Sequence, residues 1–266
     1  MTKRPFSMVP LPPDRSTEKP RAKGLSMMMD WGLPTDALED WLGLISPYVD
    51  FAKFVVGTAR LYEEEYLLRK LDIYQAHHVR PFIGGQFLEY VYATQGFDGV
   101  QPYCEEAHRL GFKAIEVSDN CVPLSEDDRK RLIRTAIDCG LEVHGEVGSK
   151  HDDTSAETLI AQANACYEAG ADVVLVEGAE LIENGEPRAD LLRELKAGLD
   201  LSKVMFELSG HWIPGTTNTE VYQLKKFFIT EFGPDVNMAN IMPQDIWETE
   251  ALRCGLSVVG PTMNAG

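Results

Sequence analysis

The chain has 266 residues, 44% hydrophobic and 25% charged, a composition that excludes intrinsic disorder and supplies the apolar material for one sizeable core. A formal net charge of -17 excludes nucleic-acid backbones and anionic membranes as partners held by bulk electrostatics, so an anionic ligand needs a local basic pocket. Five cysteines, an odd number with no CxxC pair, suggest neither a disulfide framework nor a thiolate metal site, and fit a reducing cytoplasm.

Residues 1–22 carry Pro10, Pro12, Pro13 and Pro20 among charges, without an apolar stretch long enough for a signal peptide or a membrane span. They read as a polar, proline-rich arm, either mobile, draped over the surface, or laid across a neighbouring subunit. Residues 23–266 parse as one domain of eight strand-then-helix units. The first strand, Leu25 to Asp30, precedes a helix opening at Pro34-Thr35-Asp36, where proline and acids suit a first turn. The second, Tyr48 to Phe54, precedes an amphipathic stretch from Leu61 to His77, and the third, Val79 to Ile83, runs through Gly84-Gly85 into a broken helical region from Gln86 to Leu110. Strand four, Ala114 to Val117, leads to a helix at Ser125-Glu126-Asp127-Asp128, close to a capping box, whose Leu132, Ile133, Ala136 and Ile137 recur at helical spacing.

Strand five, Glu142 to Glu146, is followed by the capping pattern Thr154-Ser155-Ala156-Glu157 and a helix to Ala169. Strand six, Asp172 to Val176, leads through a polar segment to a helix from Asp190 to Gly198. Strand seven, Val204 to Phe206, is separated by a loop through His211 and Trp212 from a helix at Asn218; strand eight, Val236 to Ala239, precedes a helix from Gln244 to Cys254. Glycines recur just past helix ends, as in Leu110-Gly111-Phe112, Cys139-Gly140-Leu141 and Ala169-Gly170-Ala171, where a left-handed residue turns the chain back into a strand. Eight alternating units at this length favour a single-domain α/β fold, the (β/α)8 TIM barrel, over an open doubly wound sheet, and neither GxGxxG nor GxxxxGK[ST] occurs.

Five apolar runs end in a lone acid: Asp30, Glu116, Glu146, Glu177 and Glu207. Buried strand-end carboxylates are costly unless a cation or donors meet them, and the carboxyl ends of barrel strands form the active site. Individually each acid either caps a loop or serves the site; together they point to a shared ligand, and oxygen donors without Cys or clustered His suit a hard ion such as Mg2+. Lys53, at the end of strand two, is either directed into the mouth or snorkels outward, and Lys150, beyond strand five, is either a site residue or a plain surface lysine. Gly84 and Gly85 either admit backbone amides to an anion or simply turn the chain, Ser118-Asp119-Asn120 offers a polar cradle or a capping turn, and Asn237 and Asn240 flank strand eight, where barrels often hold phosphate. His144, His151 and His211 lie near the top ends as substrate contacts or structural residues.

The stretches Lys23-Gly24-Leu25-Ser26-Met27-Met28-Met29-Asp30, Asp50-Phe51-Ala52-Lys53-Phe54, Gly84-Gly85, Ala114-Ile115-Glu116-Val117-Ser118-Asp119, Glu146-Val147-Gly148-Ser149-Lys150, Val176-Glu177-Gly178 and Val236-Asn237-Met238-Ala239-Asn240, in this order, resemble the phosphosulfolactate synthases of coenzyme M biosynthesis, a family that takes in plant heat-stress-associated proteins. The resemblance implies a (β/α)8 barrel that uses Mg2+ to add sulfite to phosphoenolpyruvate, giving (2R)-2-O-phospho-3-sulfolactate, and a homo-oligomer; the alternatives are a lyase or addition enzyme of the same fold acting on another carboxylated or phosphorylated small molecule, and a non-catalytic stress-associated protein. By the same resemblance Lys150 protonates C2 of a metal-stabilised aci-carboxylate and Lys53 neutralises phosphate or sulfite. The metal set is drawn from Glu116, Glu146, Glu177 and Glu207, and Gly84, Gly85, Ser118, Asn240 and Asp30 surround small anionic substrates. Trp31, Ser149 and Ala179 stand where the family frequently carries positive side chains.

Overall fold

The strands of the computed structural model are Ser26–Asp30 (β1), Phe51–Phe54 (β2), Arg80–Ile83 (β3), Ala114–Val117 (β4), Glu142–Val147 (β5), Val173–Val176 (β6), Ile182–Glu183 (β7), Glu186–Pro187 (β8), Val204–Glu207 (β9) and Met238–Ile241 (β10). All but β7 and β8 pair in parallel and close, with β10 against β1, into a barrel; β7 and β8 form a small antiparallel hairpin outside it. The structure describes residues 4–148, 154–184 and 186–257. The helices are Thr35–Ile45 (α1), Glu64–Ala76 (α2), Gly85–Gln95 (α3), Phe97–Leu110 (α4), Glu126–Asp138 (α5), Ala156–Ala169 (α6), Ala189–Gly198 (α7), Asn218–Phe232 (α8) and Ile246–Arg253 (α9). This is the (β/α)8 barrel expected from the alternation of units, and no helix among the described residues is long and apolar enough to cross a membrane.

Successive side chains on a strand face opposite ways, so each barrel strand feeds two cores. Met27, Phe51, Phe82, Ala114, Leu175, Met205 and Ala239 fill the barrel interior, whereas Met28, Phe54, Ile115, Val117, Val174 and Phe206 pack outward against the helices. The same parity turns Lys53, Glu116, Glu146 and Glu207 inward one layer above the apolar filling, and turns Asp30 outward. His144 belongs to the interior layer, fully buried, with its ring 4.5 Å from Phe82 and 5.1 Å from Phe51.

Differences from the sequence reading have local causes. The second strand begins at Phe51 because Pro47 sits in a 3-10 turn, Ser46–Tyr48, that occupies the expected first turn of strand. The broken region resolves into α3 and α4, divided at Gly96 (φ +63°). Ser155, rather than Thr154, caps α6, and Thr217 with Glu220 makes a full capping box on α8. The arm lies on the amino-terminal face of the barrel: Arg15 pairs with Glu250 (2.7 Å) and Asp235 (3.2 Å), and Arg21 pairs with Asp50 (2.5 Å).

Candidate active site

At the carboxyl ends of the strands, β2 delivers Lys53, β4 Glu116, β5 Glu146 and β9 Glu207 into one layer, all of them buried. The Lys53 Nζ stands 2.7 Å from Glu116 Oε2 and 3.1 Å from Glu207 Oε1. Glu116, Glu146 and Glu207 each offer a carboxylate oxygen within 4.8 Å of the others, a cluster able to hold a metal ion. Three carboxylates and one ammonium leave two negative charges, which matches a dication, and every donor in the cluster is oxygen, which suits a hard one.

Electrostatics express the same balance. Burial opposes the Lys53 ammonium, yet the charges of Glu116, Glu207 and Glu146 hold its pKa above the ordinary lysine value. Burial pushes the Glu116 carboxyl up to about 8; Lys53 works against that rise while Glu146 and Glu207 add to it. The cluster therefore keeps a proton or binds a cation at neutral pH.

Asn240 completes the layer from β10. Its backbone adopts φ +59°, uncommon for a residue other than glycine, and this breaks the strand's alternation, so that Ala239 fills the interior, Asn240 lines the mouth and Ile241 packs outward. Its buried Oδ1 has no hydrogen-bond partner among the described residues, an acceptor aimed at the same cavity as the carboxylates. That cavity holds about 130 Å³, the scale of a small metabolite, and Trp31 and Trp212 wall its outer side. Trp31, His211 and Trp212 form an aromatic cluster there, with ring centroids 5.2 to 6.1 Å apart.

The remaining sequence candidates are distributed around this layer. Gly84 and Gly85 cap and begin α3, and the anion met by the Gly85 amide is Glu116 Oε1, at 2.9 Å. A Cβ on Gly85 would lie 2.1 Å from Ser118 Oγ, so only glycine lets the helix approach this closely. Ser118 donates to Glu89 (2.5 Å) behind the cavity, and Glu89 also accepts from the Asn120, Cys121 and Val122 amides, fixing the loop after β4. The cavity-facing member of the polar cradle is Asn120, whose Nδ2 donates to Glu146 Oε1 at 2.6 Å.

Two acids stand apart from the cluster. Asp30, expected near substrate, points between β1 and α2, where Lys70 Nζ meets it at 2.7 Å and the Tyr74 hydroxyl donates to it at 2.7 Å. The physical reason is strand parity: Met29, not Asp30, faces the mouth. Glu177, expected among the metal ligands, caps the 3-10 turn Gly178–Leu181 by accepting from the Ala179 amide and is not part of the carboxylate cluster. Asn237 turns to the amino-terminal side, accepting from the Leu25 amide and donating to the Val204 carbonyl. Lys150, Ser149 and His151 lie outside the described residues.

Glu89 and Trp212 carry roles that the sequence did not assign, and Asn120 was marked only as one of three residues. Glu89 lies inside a helix with no motif around it, and only the three-residue polar run after β4 pointed toward Asn120. Arg129 of α5 likewise has no motif, yet it donates to the Glu146 carbonyl (3.1 Å) and pairs with Asp119.

The family model described as (2R)-phospho-3-sulfolactate synthase (ComA) matches residues 14–258. A phosphosulfolactate synthase of Methanothermobacter thermautotrophicus is 33% identical over 257 residues, covering 92% of this chain and 94% of the relative. Another, from Methanocaldococcus jannaschii, is 32% identical over 245 residues, covering 88% and 92%. Among solved structures, a 3-hexulose-6-phosphate synthase from Salmonella typhimurium superposes with a TM-score of 0.53 at 16% identity, covering 86% of this chain and 99% of that one, a likeness of fold. With a match that spans the barrel and the arm from Asp14 onward, this chain is an enzyme of the (2R)-phospho-3-sulfolactate synthase family.

Proposed function

We propose that the enzyme adds sulfite to phosphoenolpyruvate to give (2R)-2-O-phospho-3-sulfolactate, with Mg2+ as the metal. The observation that carries this reading is the buried Glu116–Glu146–Glu207 cluster, set around Lys53 at the mouth of a barrel of this family. When bound, Mg2+ supplies positive charge for the substrate carboxylate where electron density accumulates. Glu116, Glu146 and Glu207 would hold it, and the Asn240 amide oxygen adds an acceptor in the same cavity.

The other steps belong to the chain's own groups. The sulfur lone pair of sulfite forms the bond to C3 of phosphoenolpyruvate, and the C2–C3 π electrons move to C2 and the carboxylate. A proton from the Lys150 ammonium then completes C2. Lys53 offsets the negative charge of the assembled anions, Asn120 orients Glu146, and Trp31 and Trp212 exclude water from the small cavity. We assign the reaction to the cytoplasm, consistent with free cysteines among the described residues, and the enzyme to a homo-oligomer acting on small anions.

The test is consumption of phosphoenolpyruvate by purified enzyme. It should require sulfite, stop on chelation and resume when Mg2+ is returned. Turnover of phosphoenolpyruvate without sulfite, or undiminished turnover in chelator, would contradict the reading.

A further inference from the structure

The arm and the barrel's amino-terminal face enclose a second, larger crevice of about 830 Å³, at the opposite end from the carboxylate cluster. Its charge runs against that of the molecule. Lys19, Arg21, Arg80 and Lys113 line it with only two carboxylates, Asp50 and Glu142, in a chain whose formal net charge is -17. Arg21 is paired with Asp50, and Arg80 with Glu142 at 3.2 Å. Lys19 and Lys113 have no carboxylate partner among the described residues, so four basic side chains against two carboxylates leave the crevice a net charge of +2.

The walls are built rather than incidental. Lys19 donates to the carbonyls of Ser46 (2.8 Å), Val49 and His78 (3.0 Å), which fixes the arm as one side of the crevice. Arg80 is held over the Phe51 ring, 4.1 Å from its centroid, so its guanidinium has a set position. His78 adopts φ +56°, a left-handed conformation outside glycine that the surrounding contacts sustain. Lys19 is lowered to about 8, by burial first and then by Arg21 and Arg80, with Asp50 opposing, as expected where cations are gathered in excess. Pro20, Val79 and Pro81 supply apolar wall between the charges.

We propose that this crevice binds an organic phosphomonoester, its dianion matched to the net charge of +2 and its organic part lying against Pro20, Val79 and Pro81. The site is separate from the catalytic mouth and does not depend on the reaction assigned to it. A globally acidic protein repels anions, so a locally cationic, walled crevice is where one is selected.

The test is isothermal titration of the full-length protein with AMP and with glucose 6-phosphate, using adenosine and inorganic phosphate as controls, at low ionic strength. Lys113 is exposed, and its side chain makes no hydrogen bond or ion pair among the described residues, so Lys113→Ala and Lys113→Glu are suitable variants. At least one phosphomonoester should bind, about tenfold or more weaker in Lys113→Ala and weaker still in Lys113→Glu. Lys53→Met should bind it as the wild type does. Binding of neither phosphomonoester would overturn the proposal, as would affinity unchanged in Lys113→Glu or lost in Lys53→Met. Adenosine binding as tightly as AMP would overturn the phosphate assignment, and inorganic phosphate binding as tightly as both esters would overturn the role of the apolar wall.

Discussion

Lys53 Nζ lies 2.7 Å from Glu116 Oε2, an ion pair buried at the floor of the barrel mouth. Removing one partner of such a pair leaves an uncompensated buried charge. Lys53→Met should therefore lower kcat by about a hundredfold or more, since a positioned charge in a water-excluded site is worth roughly that much. Circular dichroism should still report the barrel, because Glu116 can retain its proton; a near-wild-type kcat would remove Lys53 from the chemistry.

Lys70 and Asp30 form a second pair, at 2.7 Å, with both side chains fully buried and Tyr74 as a further donor. Because this pair sits between β1 and α2, its role is structural. Lys70→Met should cost about 3–5 kcal/mol in urea unfolding. The folded fraction should keep kcat within a few-fold of wild type. Intact stability with lost turnover would return Asp30 to the site.

His144 gives a pH dependence whose sign is fixed. Burial first, with help from the charges of Arg80 and Lys53, lowers it from 6.5 to about 3 in the folded state. Between those values the unfolded chain binds a proton that the folded protein does not, so stability falls as pH drops below 6.5. His144→Leu removes this penalty, and its unfolding free energy relative to wild type should rise by about 1.6 kcal/mol between pH 6.5 and pH 5. A difference that stays flat over that interval would mean that His144 is protonated in place.

Metal binding separates the clustered acids from the others. Glu146→Gln and Glu116→Gln should weaken Mn2+ binding, followed by electron paramagnetic resonance, by about tenfold or more, as loss of a ligand or its support does. Glu177→Gln should leave it unchanged, because Glu177 caps a turn outside the cluster. Equal losses at all three positions would place the ion differently.

The barrel was legible because its signals are local and repeated: apolar runs, capping residues and a glycine after each of several helices. Side-chain direction was less legible. An acid just past an apolar run reads the same whether it turns inward, as Glu116 does, or outward, as Asp30 does, and only pairing and register separate the two. Asn240 shows the converse, since its left-handed backbone is a tertiary outcome that places it in the mouth against simple alternation. Residues that act through long-range contacts, such as Glu89 on the loop after β4 and Arg129 on the Glu146 carbonyl, have no pattern along the chain to reveal them.

The most direct test of the catalytic account is phosphorus NMR with mass spectrometry on the enzyme given phosphoenolpyruvate, sulfite and Mg2+, beside Lys150→Ala. The account predicts phosphosulfolactate from the wild type and a strongly reduced yield from the variant. No phosphosulfolactate from the folded wild type, or equal yield from both proteins, would contradict it.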